Sequence, residues 1–122
     1  MRQRIDKLAV IGLGLIGGSL TLALRNDDFV GESVGYTLDY NNAKLGVELG
    51  VVDRAVETIE EAVCDADVIV LAVPVKAFEE VLAQIKPHMK TRAVLTDAGS
   101  AKGVFVDAVR KVFGDVPPNI VP

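Results

Sequence analysis

Scarcity defines much of this chain. Its one cysteine, Cys64, excludes an internal disulfide framework and fits a reducing compartment, the cytoplasm. Its one histidine, His88, and the lack of any His, Cys or carboxylate grouping at metal-ligand spacing leave no resident metal to expect. Positive charge is also in short supply. The net charge of -4 gives no electrostatic reason for nucleic acid or an anionic membrane as partner. No internal repeat or low-complexity linker interrupts the 122 residues, a length that makes one domain with a real core but is short for a complete two-substrate enzyme. Half the residues are apolar and a quarter charged, as in a globular protein rather than a disordered one.

One uncharged run is long enough to test as a membrane segment. Leu8 to Leu24 lies between Lys7 and Arg25 and contains Gly14-x-x-x-Gly18. Its seventeen residues sit at the lower limit for a span, and no small-x-small cleavage site follows. The glycines have a different spacing, and it accounts for the same residues without a membrane.

That spacing is Gly12-x-Gly14-x-x-Gly17, entered from the apolar strand Leu8–Leu13 and followed by a helical pattern over Gly17–Arg25. Gly12 allows the tight turn, Gly14 leaves room for phosphates, and Gly17 lets the helix pack on the strand. The first amides of the helix, among them those near Leu15 and Ile16, then face a pyrophosphate with the positive end of the helix dipole behind them. The expected ligand is a dinucleotide, NAD or NADP.

The rest of the chain alternates strand-like and helix-like segments. Asn26-Asp27-Asp28 suits a turn, Ser33–Thr37 a second strand, and Asn41 or Asn42 a cap for a helix over Ala43–Leu49 that stops at Gly50. Val51-Val52 and Ala55-Val56 flank a brief third strand, and Thr58-Ile59-Glu60-Glu61 reads as a capping box. Asp67–Val73 is a continuous apolar run suited to a central strand buried on both faces, stopped by Pro74. Lys76–Ile85 places Phe78, Val81, Leu82 and Ile85 on one helical face. Ala93–Thr96, Gly103–Phe113 and Asn119–Val121 complete the pattern as strand, helix and sixth strand. The fold class is therefore α/β: a Rossmann-type open parallel sheet with helices on both faces.

Candidate contacts follow from that topology, because ligands of such sheets lie at the carboxyl ends of the strands. An acid is expected about twenty residues past the third glycine, to hold the ribose 2′-hydroxyl. That position is Thr37. Asp39, two residues on, either reaches back to the ribose or is a turn residue. Without a carboxylate at Thr37 the repulsion of a 2′-phosphate is weaker, yet no arginine lies beside it and Lys44 is seven residues away. Both cofactors stay open, with NAD ahead. Val73 and Pro74 end the fourth strand at the same edge, where the proline either stops the strand or touches the ligand. Thr96-Asp97-Ala98-Gly99-Ser100-Ala101-Lys102 follows the fifth strand, and its polar groups suit an N-cap or a substrate contact. Ser100 by itself reads as a cap. His88 falls at the opposite edge, and Cys64 is expected to be a packing residue.

Four segments together resemble one family. Gly12–Leu20, Leu49-Gly50-Val51-Val52-Asp53, Asp65–Val75 and Thr96–Lys102 are similar to the amino-terminal domain of prephenate or arogenate dehydrogenases, in order and over essentially the whole chain. The resemblance implies NAD(P)-dependent oxidative decarboxylation of prephenate, or of its amino counterpart arogenate, on the route to tyrosine. It also implies that Ser100 hydrogen-bonds the substrate hydroxyl and the catalytic histidine, and that the full-length protein is a homodimer. Two features depart from the family pattern. NAD-using members commonly carry aspartate at the position of Thr37. The Gly-His-Pro motif that supplies the catalytic histidine is absent, as is the helical domain that follows it, so residues 1–122 read as the dinucleotide-binding half of a longer enzyme. The alternatives are a stand-alone NAD(P)-binding regulatory module and a β-hydroxyacid-type dehydrogenase domain.

Overall fold

A parallel sheet covered by helices on both faces takes apolar side chains at every strand position, so its strands are uninterrupted aliphatic runs. The computed structural model describes residues 5–12, 30–37, 40–48, 50, 52–73, 75–90, 93–97, 102–114 and 120–121. In chain order these form β1 (Ile5–Ile11), β2 (Val30–Tyr36), α1 (Tyr40–Glu48), β3 (Arg54–Ala55) and α2 (Ile59–Val63). There follow β4 (Val68–Leu71), a 3-10 turn (Val75–Ala77), α3 (Phe78–Ile85), β5 (Val94–Asp97), α4 (Lys102–Phe113) and β6 (Ile120–Val121). All strand pairs are parallel, in the order β3-β2-β1-β4-β5-β6. The chain thus runs outward from β1 to β3, then crosses back to β4 on the other side of β1. The tips of β1 and β4 form the switch point at which such sheets open a crevice.

The core follows the two periodicities. Ala9, Ile11, Val34, Ile69, Leu71 and Leu95 form one face of the sheet. Against them pack Ile59, Ala62 and Val63 of α2, Phe78, Leu82 and Ile85 of α3, and Phe105, Ala108 and Val109 of α4. Leu8, Val10 and Val70 alternate to the other face and are buried as well. Right-handed crossovers in opposite directions place α1 on the face opposite α2, α3 and α4. The open parallel sheet expected from the sequence is the fold observed.

Several local expectations change. Asn41 and Asn42 lie inside α1, which begins at Tyr40, rather than capping it. Asn41 is exposed, so its place in the first turn costs at most about 0.7 kcal/mol of helix propensity. Gly50, at φ +76°, does end that helical segment, its N–H donating to the Val47 carbonyl at 3.1 Å. β2 begins three residues earlier than Ser33, because it pairs with β1 from Ile5↔Val30 onward. α3 begins at Phe78 rather than Lys76, after the 3-10 turn. Cys64 is exposed, not packed. It is the C-cap of α2, where the backbone leaves the helix (ψ 122°) and the inward periodicity of Ile59, Ala62 and Val63 no longer applies. Thr58 is the N-cap of α2, its Oγ1 accepting from the Glu61 N–H at 3.1 Å. The return bond of a capping box is replaced by the Thr58 hydroxyl donating to the Glu61 carboxylate at 3.2 Å.

Two carboxylates tie strands together away from the crevice. Asp67 stands at the amino end of β4, in the run expected to be wholly strand. Its Oδ2 accepts from the N–H groups of Asp6 (2.9 Å) and Lys7 (3.1 Å), and its Oδ1 accepts from Lys90 Nζ. Its carbonyl accepts from the Val94 N–H at 2.9 Å, so one residue joins the starts of β1, β4 and β5. The Lys90 ammonium, followed by the backbone donors, holds the Asp67 carboxyl below the ordinary carboxylate value, and Asp67 in turn raises Lys90. A depressed carboxyl stabilises the fold above its unfolded pKa and loses that contribution as pH falls through its folded pKa. Asp67→Ala is therefore expected to lower stability by about 1–2 kcal/mol at pH 7, with the deficit shrinking below about pH 4. Urea melts of both proteins at pH 7 and pH 3 check this; an equal deficit at both would refute it.

The second tie is Asp53, the last residue of the Leu-Gly-Val-Val-Asp segment. Its Oδ2 accepts from the N–H (2.8 Å) and the hydroxyl (3.3 Å) of Ser33, and its own N–H reaches the Ser33 carbonyl at 2.9 Å. Ser33 is completely buried, and these bonds satisfy it. They fasten the two-residue β3 to β2.

Candidate functional site at the carboxyl edge

Parallel pairing brings Tyr36, Ile11, Leu71 and Asp97 into one rung across β2, β1, β4 and β5. The residues one step further form the rim of the sheet: Thr37 after β2, Gly12 after β1, and Ala72 with Val73 after β4. Gly12 closes this rim. Its N–H donates to the Tyr36 carbonyl at 2.7 Å, while the Ala72 N–H donates to the Ile11 carbonyl at 2.8 Å. Three strand tips are thereby fastened around one residue.

Only glycine meets the geometry there. Gly12 has φ +88°, a left-handed conformation that side chains rarely adopt. A Cβ at this position would stand 2.5 Å from the Ala72 carbonyl oxygen and 2.9 Å from Val73 Cγ1. Its amide is engaged within the sheet, so donors for a phosphate must come from later residues of the turn. Glycine spacing points to Gly12, but not to Tyr36 or Ala72. They act through backbone groups, the Tyr36 carbonyl and the N–H and carbonyl of Ala72, which leave no mark on side-chain identity.

The sequence candidates divide in two. Gly12, Thr37, Val73 and Asp97 come together along the carboxyl edge. Thr37 is half-buried, Val73 packs against the core, and Asp97 is the last residue of β5. Gly14, Leu15, Ile16, Gly17, Asp39, Pro74 and Ser100 lie outside the described residues. His88 is exposed, in the turn after α3 that leads to the amino end of β5, with Nδ1 3.9 Å from a Glu60 carboxylate oxygen. It is remote from Gly12 along the sheet. Among the described residues no grouping of His, Cys, Asp and Glu could hold a metal ion. No helix among them is long and apolar enough to cross a membrane, and Leu8–Ile11, the start of the uncharged run, is strand.

A family model described as prephenate dehydrogenase, nucleotide-binding domain, matches residues 20–122. The chain belongs to this family. It is 34% identical over 110 residues to a prephenate dehydrogenase of Lactococcus lactis subsp. cremoris, an alignment covering 89% of this chain and 30% of that protein. Among solved structures it is similar to a prephenate dehydrogenase from A. aeolicus in complex with hydroxyphenyl propionate and NAD+. That likeness has a TM-score of 0.82 at 27% identity and covers 93% of this chain and 40% of the other. It is also similar to Synechocystis arogenate dehydrogenase, with a TM-score of 0.78 at 28% identity, over 88% of this chain and 37% of the other. The chain thus spans between 30% and 40% of the length of these relatives. Within the prephenate dehydrogenase family, the matched region is the nucleotide-binding domain, and the described strands β2 to β6 fall within it.

Proposed function

We propose that this chain is the cofactor-binding half of an NAD(P)-dependent dehydrogenase acting on prephenate or arogenate in tyrosine biosynthesis. The observation that carries the reading is the Gly12 closure. A glycine with positive φ, pressed against the backbone of β4 at the switch point, sits where a dinucleotide turn requires close backbone approach. Family membership supplies the reaction class.

In this reading a bound NAD(P) would supply the acceptor for the hydride on the ring carbon that bears the substrate hydroxyl. The hydroxyl proton passes to a base, and the ring carboxylate departs as carbon dioxide, leaving an aromatic ring. The chain's own residues orient and bind. Gly12, Gly14 and Gly17, with the amides near Leu15 and Ile16, cradle the pyrophosphate. Thr37 and Asp39 lie on the ribose side, and Val73, Pro74 and Asp97 line the edge toward the nicotinamide. Ser100 hydrogen-bonds the substrate hydroxyl. The base itself belongs to a Gly-His-Pro motif that this sequence does not contain. The same reading places the reaction in the cytoplasm and makes the full-length enzyme a homodimer.

Purified residues 1–122 are expected to bind NADH or NADPH saturably in a fluorescence titration, yet not to oxidise prephenate at enzymatic rates, about 1–10³ s⁻¹. No saturable binding of either nucleotide would overturn the cofactor role. Turnover within that range would overturn the half-enzyme reading.

A further inference from the structure

We propose that Glu57 supplies, from the outer strand, the ribose-binding carboxylate that Thr37 does not provide, and so makes the site selective for NAD over NADP. The inference rests on the proposed cofactor role and deepens it. Its basis is the pairing of β2 with β3. Val34 lies opposite Arg54 and Gly35 opposite Ala55. The Val56 N–H donates to the Gly35 carbonyl at 3.1 Å, closing the Gly35–Ala55 pair at the carboxyl end of β3. Thr37 is two residues past Gly35, and Glu57 is two residues past its partner Ala55, in the bend that leads to α2, so both stand at the carboxyl ends of neighbouring strands. Neighbouring strands are about 4.8 Å apart, so a glutamate on the outer strand reaches the space in front of Thr37.

Burial supports the same placement. Val56 is 3% exposed and belongs to the core, whereas Glu57, the next residue, is exposed at the rim. Among the described residues no hydrogen bond or ion pair engages the Glu57 carboxylate. Asp53 prevents the register from slipping. Its bonds to the buried Ser33 would all break if β3 moved by one residue along β2. The Leu-Gly-Val-Val-Asp segment thereby gains a role at the site, since it fixes where β3 ends along β2.

The chemistry then selects the ligand. A ribose diol donates hydroxyl hydrogens to a carboxylate in charge-assisted bonds, whereas a 2′-phosphate in the same place is repelled by it. Arg54, the guanidinium on β3, is paired with Glu32 at 3.4 Å on the amino-terminal side of Glu57.

The test is titration of the full 122-residue chain with NADH and NADPH, comparing wild type, Glu57→Gln, Asp39→Asn and the double variant Thr37→Asp/Glu57→Gln. Wild type is expected to favour NADH. Glu57→Gln should reduce that preference by about tenfold or more with no loss of melting temperature, because the side chain is exposed. Asp39→Asn should shift the preference less than Glu57→Gln does, and Thr37→Asp should restore it in the Glu57→Gln background by returning a carboxylate one strand over. A wild type that favours NADPH would overturn the inference, as would an unchanged ratio in Glu57→Gln or a shift produced by Asp39→Asn instead. Wild-type binding of neither nucleotide would overturn the cofactor role and this inference with it, so the two failures are distinguishable.

Discussion

Replacing Gly12 with alanine is expected to abolish dinucleotide binding and to destabilise the whole sheet. Two independent penalties coincide at this residue. The left-handed backbone at φ +88° costs an L side chain about 1–2 kcal/mol. The added methyl must also displace the Ala72 carbonyl oxygen, 2.5 Å from its ideal position, and such overpacking costs a further ~1–3 kcal/mol. The neighbour is backbone, not the end of a flexible side chain, so relief requires β1 and β4 to part. Parting them breaks the Ala72-to-Ile11 hydrogen bond and moves the tips that border the crevice. NADH titration below the variant's melting temperature measures the binding loss, and thermal melting measures the rest. A Gly12→Ala protein that binds NADH as wild type does would show that the turn tolerates a side chain and that the cradle lies elsewhere.

Phe105→Ala is expected to cost about 3–5 kcal/mol, a large share of the 5–15 kcal/mol that usually separates a folded domain from its unfolded chain. Phe105 is completely buried on the inner face of α4. Its ring meets that of Phe78 edge to face, with centroids 5.9 Å apart and planes at 87°. This pair joins α3 to α4 over the strands. The polar links between the same helices are weaker substitutes. The Lys111–Glu79 ion pair (3.0 Å) is exposed, and such pairs contribute at most about 1 kcal/mol. Lys86 donates to the Val112 carbonyl at 3.1 Å and lies over the Phe113 ring, but it too is exposed. Phe105→Leu, which keeps most of the volume, should cost less than about 1.5 kcal/mol. Urea denaturation of the three proteins checks both values, and a loss below about 1 kcal/mol for the alanine variant would mean that the helices close over the cavity.

The alternation of strands and helices was legible because it depends on neighbours in the chain. Val68–Leu71 and Val94–Asp97 are strands, and Thr58 caps α2, as local patterns indicate. Strand boundaries were less legible, since β2 starts where β1 offers a partner and not where its own sequence becomes apolar. The exposure of Cys64 is not legible along the chain, for a related reason. Composition makes a lone cysteine a packing residue, but its exposure depends on where a five-residue helix happens to end. Asp67 and Asp53 left no sequence signal for their partners, which lie 61, 60 and 23 residues away in one case and 20 in the other.

By itself, then, the sequence determined the strand–glycine–helix order, the parallel α/β class and the family, because each rests on periodicity or on motifs read along the chain. The tertiary structure alone decided what makes Gly12 irreplaceable, which is the Ala72 carbonyl against it from a strand sixty residues away. It alone fixed how the outer strand β3 pairs with β2, through a register locked by Asp53 and Ser33. Both are cross-strand relations, set when the sheet assembles and fixes which residues stand side by side.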